Sequence, residues 1–162
     1  MLNNPDNPLP DTLQSRPVDH HWIAHHIPHH GDMCLLDHVQ AWDDVNISCI
    51  ATSHRAANNP LRAYKQLGIA NGIEYAAQAM AVHGALTAPK NQPKPKVGYL
   101  VSVRGVNMHV SRLDDIEADL LIHATCVMAN ENNMLYEFRI SAEEKILLEG
   151  RAAVVLDADA LR

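Results

Sequence analysis

The sequence predicts an α+β fold in which a hairpin is followed by one long helix and then by an antiparallel run of strands. Two observations carry this. Between Asn71 and Leu86, apolar and small residues recur at steps of three and four, the spacing of one helix face. After residue 97, strand-like stretches are separated by short turns, and strands segregated from a single helix indicate α+β rather than a parallel α/β sheet.

Residues 1–19 contain Pro5, Pro8, Pro10 and Pro17 and are expected to form an extended tail, leaving 20–162 as a single domain. Met33 to Trp42 reads as the first strand, with apolar Met33, Leu35, Leu36, Val39 and Trp42. Asp43-Asp44 would turn it into a partner strand from Asn46 to Thr52. Asn58-Asn59-Pro60 then marks a loop. The helix starts with Asn71 as N-cap and carries Ile73, Ala76, Ala77, Met80, Ala81 and Gly84. So smooth a helix can be approached closely on nearly all sides, which suits one wrapped by a sheet. The run from Pro89 to Lys96 ends it as an exposed basic linker. Strands are expected over Gly98–Val110, Ile116–Met128, Met134–Ala142 and Ile146–Leu156, with turns at 130–133 and 143–145.

Composition narrows the function classes. With 162 residues and 47% apolar content, the chain is long enough to bury a real core. Two Trp, four Tyr and one Phe leave that core mostly aliphatic. A net charge of −6 argues against a nucleic-acid binder, whose footprint is basic. Cys34, Cys49 and Cys126 lack C-x-x-C spacing and read as reduced thiols, which suggests the cytoplasm. The first residues carry no apolar core of a signal peptide, and no run is long enough to span a bilayer. A cytoplasmic location is expected.

Three segments then carry a resemblance. They are Ile27-Pro28-His29-His30-Gly31-Asp32-Met33-Cys34-Leu35-Leu36-Asp37-His38-Val39, Gly72-Ile73-Glu74-Tyr75-Ala76-Ala77-Gln78-Ala79-Met80-Ala81-Val82-His83-Gly84, and Gly98-Tyr99-Leu100-Val101-Ser102-Val103-Arg104. The chain resembles the hotdog-fold 3-hydroxyacyl-(acyl carrier protein) dehydratases of type II fatty-acid synthesis and, more closely, those of aryl-polyene gene clusters. The likeness covers most of residues 20–156. Where the fatty-acid enzymes carry a Gly-His-Phe-Pro-Gly loop, this chain reads Ser53-His54-Arg55-Ala56-Ala57-Asn58-Asn59-Pro60-Leu61.

The resemblance implies a long helix wrapped by an antiparallel sheet, and dehydration of 3-hydroxyacyl thioesters to trans-2-enoyl thioesters. One acid and one base suffice for that reaction, with no metal or redox cofactor. His54 is implied as the base at C2 and Glu74 as the group at the C3 hydroxyl, facing each other across a subunit boundary. An ordinary loop histidine and a helix-dipole carboxylate are the plain alternatives. Burial in an apolar tunnel would raise the Glu74 pKa and make it an acid. Backbone N–H groups from Ile69 to Gly72 would supply the oxyanion donors.

An acidic carrier protein would dock on Lys90, Lys94, Lys96, Arg104 and Arg112, and the other reading of these is a solvated basic linker. The partner subunit is an identical chain or a second hotdog chain. The cluster His20-His21-x3-His25-His26-x2-His29-His30 invites a zinc reading, but it lacks regular ligand spacing on a clear helix and reads as a solvated strand entry. His83 is expected to pack or line an interface. Two other functions share the fold, a hotdog thioesterase and a non-catalytic subunit that supports an active partner.

Overall fold

The computed structural model describes residues 18–91 and 97–156, so most of the expected tail, together with Lys94 and Lys96, lies outside the described residues. A short helix α1 (His20–His26) opens the fold, and its N-cap Asp19 accepts the Trp22 N–H at 2.9 Å. This corrects the strand-entry reading of the histidine run. His25 Nδ1 and His26 Nδ1 bond the carbonyls of His21 and Trp22, each at 2.7 Å, and Trp22 stacks on His26 at 3.7 Å. Among the described residues, no three His, Cys, Asp or Glu side chains cluster as a metal site. None of the described helices is long and apolar enough to cross a membrane.

The first strand is shorter than expected. Residues 33–37 form a strap, and β1 spans only His38–Trp42 before pairing with β2 (Asn46–Ala51). Asp43 Oδ1 closes this hairpin by accepting the N–H groups of Val45 (2.9 Å) and Asn46 (2.7 Å), the local bonding that favours Asp in turns. The long helix α2 runs from Gly72 to Thr87. It is followed by β3 (Gly98–Met108), β4 (Leu120–Ala129), β5 (Asn133–Ala142) and β6 (Lys145–Leu156). All pairings in the six-stranded sheet are antiparallel, in the order β1-β2-β4-β5-β6-β3.

Alternation fixes which face of the sheet is covered. Ile47, Cys49 and Ala51 on β2, Leu120, Ile122 and Ala124 on β4, and Phe138 and Ile140 on β5 are buried. These strands pack on α2, whose Tyr75, Ala76, Ala79 and Val82 are completely buried. The sheet wraps the helix as the alanine-rich sequence suggested, and the α+β reading holds.

Tight packing is local at the helix start. A Cβ on Gly72 would lie 2.7 Å from Leu148 Cδ2 and 3.0 Å from Ile140 Cδ1, so glycine lets the helix N-terminus meet the sheet. The expected N-cap Asn71 makes no side-chain cap bond to α2. Instead a 3-10 turn over Ile69–Asn71 precedes the helix, and Asn71 Nδ2 donates to Gly68 O at 3.1 Å.

Candidate functional site

A cavity of about 540 Å³ runs along one side of α2. His26, His29 and Glu74 line it at one end, and Ala77, Ala81, Gly84 and Ala85 of α2 line it further along. Across from the helix stand residues of the sheet, among them Tyr99, Leu100, Met134 and Val154. Volume and apolar walls with a few polar groups at one end suit an elongated apolar ligand with a polar head.

The polar end is built from two segments. His29 follows α1 directly, while Glu74 occupies the first turn of α2. His29 Nε2 lies 2.9 Å from Glu74 Oε1, with the side chains 26% and 33% exposed. Gln78, one turn on and fully buried, donates from Nε2 to the same oxygen at 3.2 Å. A carboxylate only accepts, so Nε2 of His29 is the donor in this pair, and in a neutral ring the lone pair is then on Nδ1. That Nδ1 is buried and has no hydrogen-bond partner among the described residues.

These donors act on the Glu74 carboxyl. The hydrogen bond from His29 holds its pKa below the ordinary carboxylate range, against the opposing pull of partial burial and with help from Gln78. The raised pKa expected from sequence is therefore corrected, because two hydrogen bonds to the anion outweigh its desolvation.

His54 sits elsewhere. Ser53–Arg55 form a 3-10 turn, anchored where Ser53 Oγ donates to Leu35 O (2.7 Å) and bonds the Tyr75 hydroxyl (2.8 Å). Asn59 Nδ2 donates to Ser53 O at 2.9 Å and to the Tyr75 hydroxyl at 3.0 Å. The turn carries the His54 ring inward, where it is fully buried and Nε2 donates to Ile116 O at 3.0 Å. Burial lowers its pKa, partly offset by the bond to Ile116. Its Nδ1 also has no partner among the described residues. Within the chain, the structure does not bring His54 to Glu74, and His54 does not line the cavity. The imidazole that meets Glu74 is that of His29, which the sequence reading took as one histidine of a run.

The expected oxyanion donors are already engaged. The Ile69 N–H donates to Ser111 O at 3.1 Å, and the Gly72 N–H turns back to Ile69 O and Ala70 O. The 3-10 turn continues the helix backwards and also takes the Asn71 N–H, to Gly68 O at 3.1 Å, so the expectation is corrected for Ile69, Asn71 and Gly72. Arg112 is corrected as well. Its guanidinium bonds Asp114 through Nη2 and through Nε at 3.0 Å, and Asp115 lies 3.9 Å away. Asp114 in turn accepts the Leu67 N–H at 2.8 Å. The residue ties two loops together within a locally acidic cluster. Arg104, by contrast, is exposed on β3 and sits in register with Arg151 of β6, and Lys90 is exposed beyond α2. Cys34, Cys49 and Cys126 are free thiols, and burial pushes Cys49 up to about 12, which disfavours the nucleophilic thiolate.

The solved structure of the dehydratase heterocomplex ApeI:P from Xenorhabdus doucetiae is similar at a TM-score of 0.75 and 23% identity, covering 85% of this chain and 92% of that one. A thioesterase from Haemophilus influenzae is similar at 0.55 and 13% identity, covering 74% of this chain and 77% of that one. A mutant thioesterase from Pseudomonas aeruginosa matches at 0.54 and 13%, covering 74% and 80%. These likenesses establish the hotdog fold. No curated protein matches the chain. The model of the ApeP-like family, described as ApeP dehydratase, matches residues 21–161, and the chain belongs to that dehydratase family.

Proposed function

We propose that the protein removes water from 3-hydroxyacyl thioesters carried on an acyl carrier protein, giving trans-2-enoyl thioesters. The observation that supports this most is the His29–Glu74 contact at the polar end of an apolar cavity, in a chain of a dehydratase family. With Nε2–H held by Glu74, the lone pair of a neutral His29 ring is on Nδ1, and because that atom is buried in the chain alone, the ring must turn toward the cavity for it to act as the base. It takes the C2 proton, and the electrons of the C2–H bond form the C2–C3 double bond as the C3–O bond breaks. The imidazolium returns the proton to the departing oxygen, which leaves as water. Glu74 remains ionised throughout, orients the ring and balances the imidazolium charge. One residue thus serves as base and then acid, and the carboxyl need not be protonated.

A second reading keeps His54 as the base, facing Glu74 of another subunit. The buried, unpartnered Nδ1 of His54 favours it. The partner subunit in either case would add to β3, an eleven-residue edge strand exposing Tyr99, Leu100 and Val101, since an apolar edge of that length needs covering. The heterocomplex of Xenorhabdus supports a second hotdog chain as that partner. Arg104 and Lys90, and with them the Lys94 and Lys96 expected from sequence, are the basic residues we propose for an acidic carrier protein, where charge raises on-rates more than affinity; Arg151 beside Arg104 is already paired with Glu137 at 2.9 Å.

The test is mass spectrometry of carrier-bound 3-hydroxyacyl substrates with the protein alone and with a hotdog partner. Loss of water supports dehydration, while release of the free acid supports thioester hydrolysis instead. His29→Ala and Glu74→Gln are expected to lower turnover by about a hundredfold or more. His54→Ala decides between the two bases: full turnover in that variant removes the second reading, and full turnover in His29→Ala removes the first.

A further inference from the structure

Gly84 stands in the last turns of α2 with no backbone need for glycine. Its φ is not positive, and a Cβ built on it would meet nothing within 4 Å. A glycine in a helix interior loses stability relative to alanine, and Gly72 on the same helix shows what a packing requirement looks like. At Gly84 the open space is the cavity itself, whose wall Gly84 forms between Ala81 and Ala88. The same helix face carries Glu74 at the polar end, ten residues earlier.

We propose that Gly84 sets the length of acyl tail the cavity accepts. This rests on the dehydratase reading of the same site. A substrate whose C2 and C3 lie at His29 and Glu74 sends its tail along Ala77 and Ala81 toward Gly84. At a rise of 1.5 Å per residue, the ten residues between Glu74 and Gly84 span about 15 Å. A zigzag of carbon–carbon bonds of about 1.5 Å needs roughly a dozen carbons to cover that span. A short tail never reaches residue 84. A long tail must pass it, and the missing side chain is the room it uses. The ligand class is therefore a long, apolar acyl thioester, and residue 84 discriminates by length rather than by chemistry.

The experiment compares the wild-type chain with Gly84→Ala and Gly84→Leu. Circular dichroism first establishes that each variant is folded. Calorimetry then measures binding of butyryl-pantetheine and hexadecanoyl-pantetheine, which lack the 3-hydroxyl and do not react. Gly84→Leu is expected to lose affinity for the long ligand by about tenfold or more while keeping that for the short one, since added methylenes in an apolar pocket discriminate by roughly 10- to 200-fold. Gly84→Ala falls between. Equal loss for both ligands, or no loss for either, overturns the proposal. Turnover of 3-hydroxybutyryl and 3-hydroxyhexadecanoyl substrates on carrier protein is the parallel readout. No turnover of either by wild type, alone or with a hotdog partner, overturns the dehydratase reading, and the calorimetry still decides the role of Gly84.

Discussion

Gln78 binds Leu35 across the fold: the Leu35 N–H donates to Gln78 Oε1 at 2.9 Å, and Gln78 Nε2 returns a bond to Met33 O at 2.7 Å. One buried amide thereby fastens the strap at 33–35 to the middle of α2, while also donating to Glu74. The strap follows His29 by a few residues, so Gln78 positions both members of the polar pair.

Gln78→Leu is expected to leave the Leu35 N–H and the Met33 carbonyl without their partners. Each buried, unsatisfied group costs about 1–3 kcal/mol, so the variant should be less stable by roughly 2–6 kcal/mol in urea unfolding. Because the strap is then free to shift, turnover should fall more than KM rises. A Gln78→Leu protein with wild-type stability would show that these bonds carry nothing.

The lowered Glu74 pKa makes a statement about acid. In the window between the lowered value and the ordinary glutamate value of about 4.3, the unfolded chain binds a proton that the native carboxylate refuses. Stability from this group is fully present above about 4.3 and is lost as pH falls through the lowered value. Glu74→Gln should flatten the acid limb of a plot of denaturation midpoint against pH. An unchanged acid limb would mean that the His29 bond does not form in solution.

Much of this fold was legible because alternation and turn chemistry are local. The stretch ending at Ala142 was readable, and Glu143 and Glu144 form its turn with φ of 49° and 66°. Helix α1 was missed because six histidines obscured its signal, although Asp19 before Trp22, Ile23 and Ile27 is an N-cap ahead of apolar residues at helical spacing. The first strand was drawn too early because residues 33–37 are apolar for another reason. Leu35 and Leu36 are buried in a strap whose backbone bonds go to a helix side chain, and no periodicity reports that. Glu74 was found from its segment, but its partner was not, since the 2.9 Å contact joins parts of the chain far apart in sequence. The neutralisation of Arg112, in contrast, was available locally from Asp114 and Asp115.

His83 is almost completely buried on α2, as a packing residue rather than a site residue. Its Nε2–H donates to Asp43 O at 3.0 Å, and its Nδ1 accepts from the Tyr136 hydroxyl at 2.8 Å. Both bonds suit the neutral ring. Burial lowers its pKa, against the opposing effects of the Asp43 carbonyl and the Asp43 and Asp44 charges. Below the ordinary histidine value of about 6.5, the unfolded chain takes up a proton that the native ring refuses, so stability falls with pH. His83→Gln should show a shallower decline in denaturation midpoint below about pH 6.5. Its plateau at neutral pH should be lower by about 1–3 kcal/mol, from the bonds it loses. If the slope is unchanged, other histidines, His54 among them, carry the acid sensitivity.

The two glycines of α2 should respond to alanine with opposite signs. At Gly84 the new methyl meets open space, and replacing an interior helix glycine gains about 0.5–1 kcal/mol. At Gly72 the same methyl is pressed against the buried Leu148 and Ile140, and forcing a methyl into a filled core costs about 1–3 kcal/mol. The first helical position also returns less of the helix-propensity gain, because its N–H is not yet part of the repeating ladder. Gly72→Ala should therefore unfold at lower urea and Gly84→Ala at higher urea than the parent chain. Leu148 and Ile140 could yield only by moving against β5 and β6, where they are cross-strand neighbours. A Gly72→Ala protein as stable as the parent would mean that the helix start can lift from the sheet, and that the distance between Glu74 and His29 is less firmly set by this contact than the packing implies.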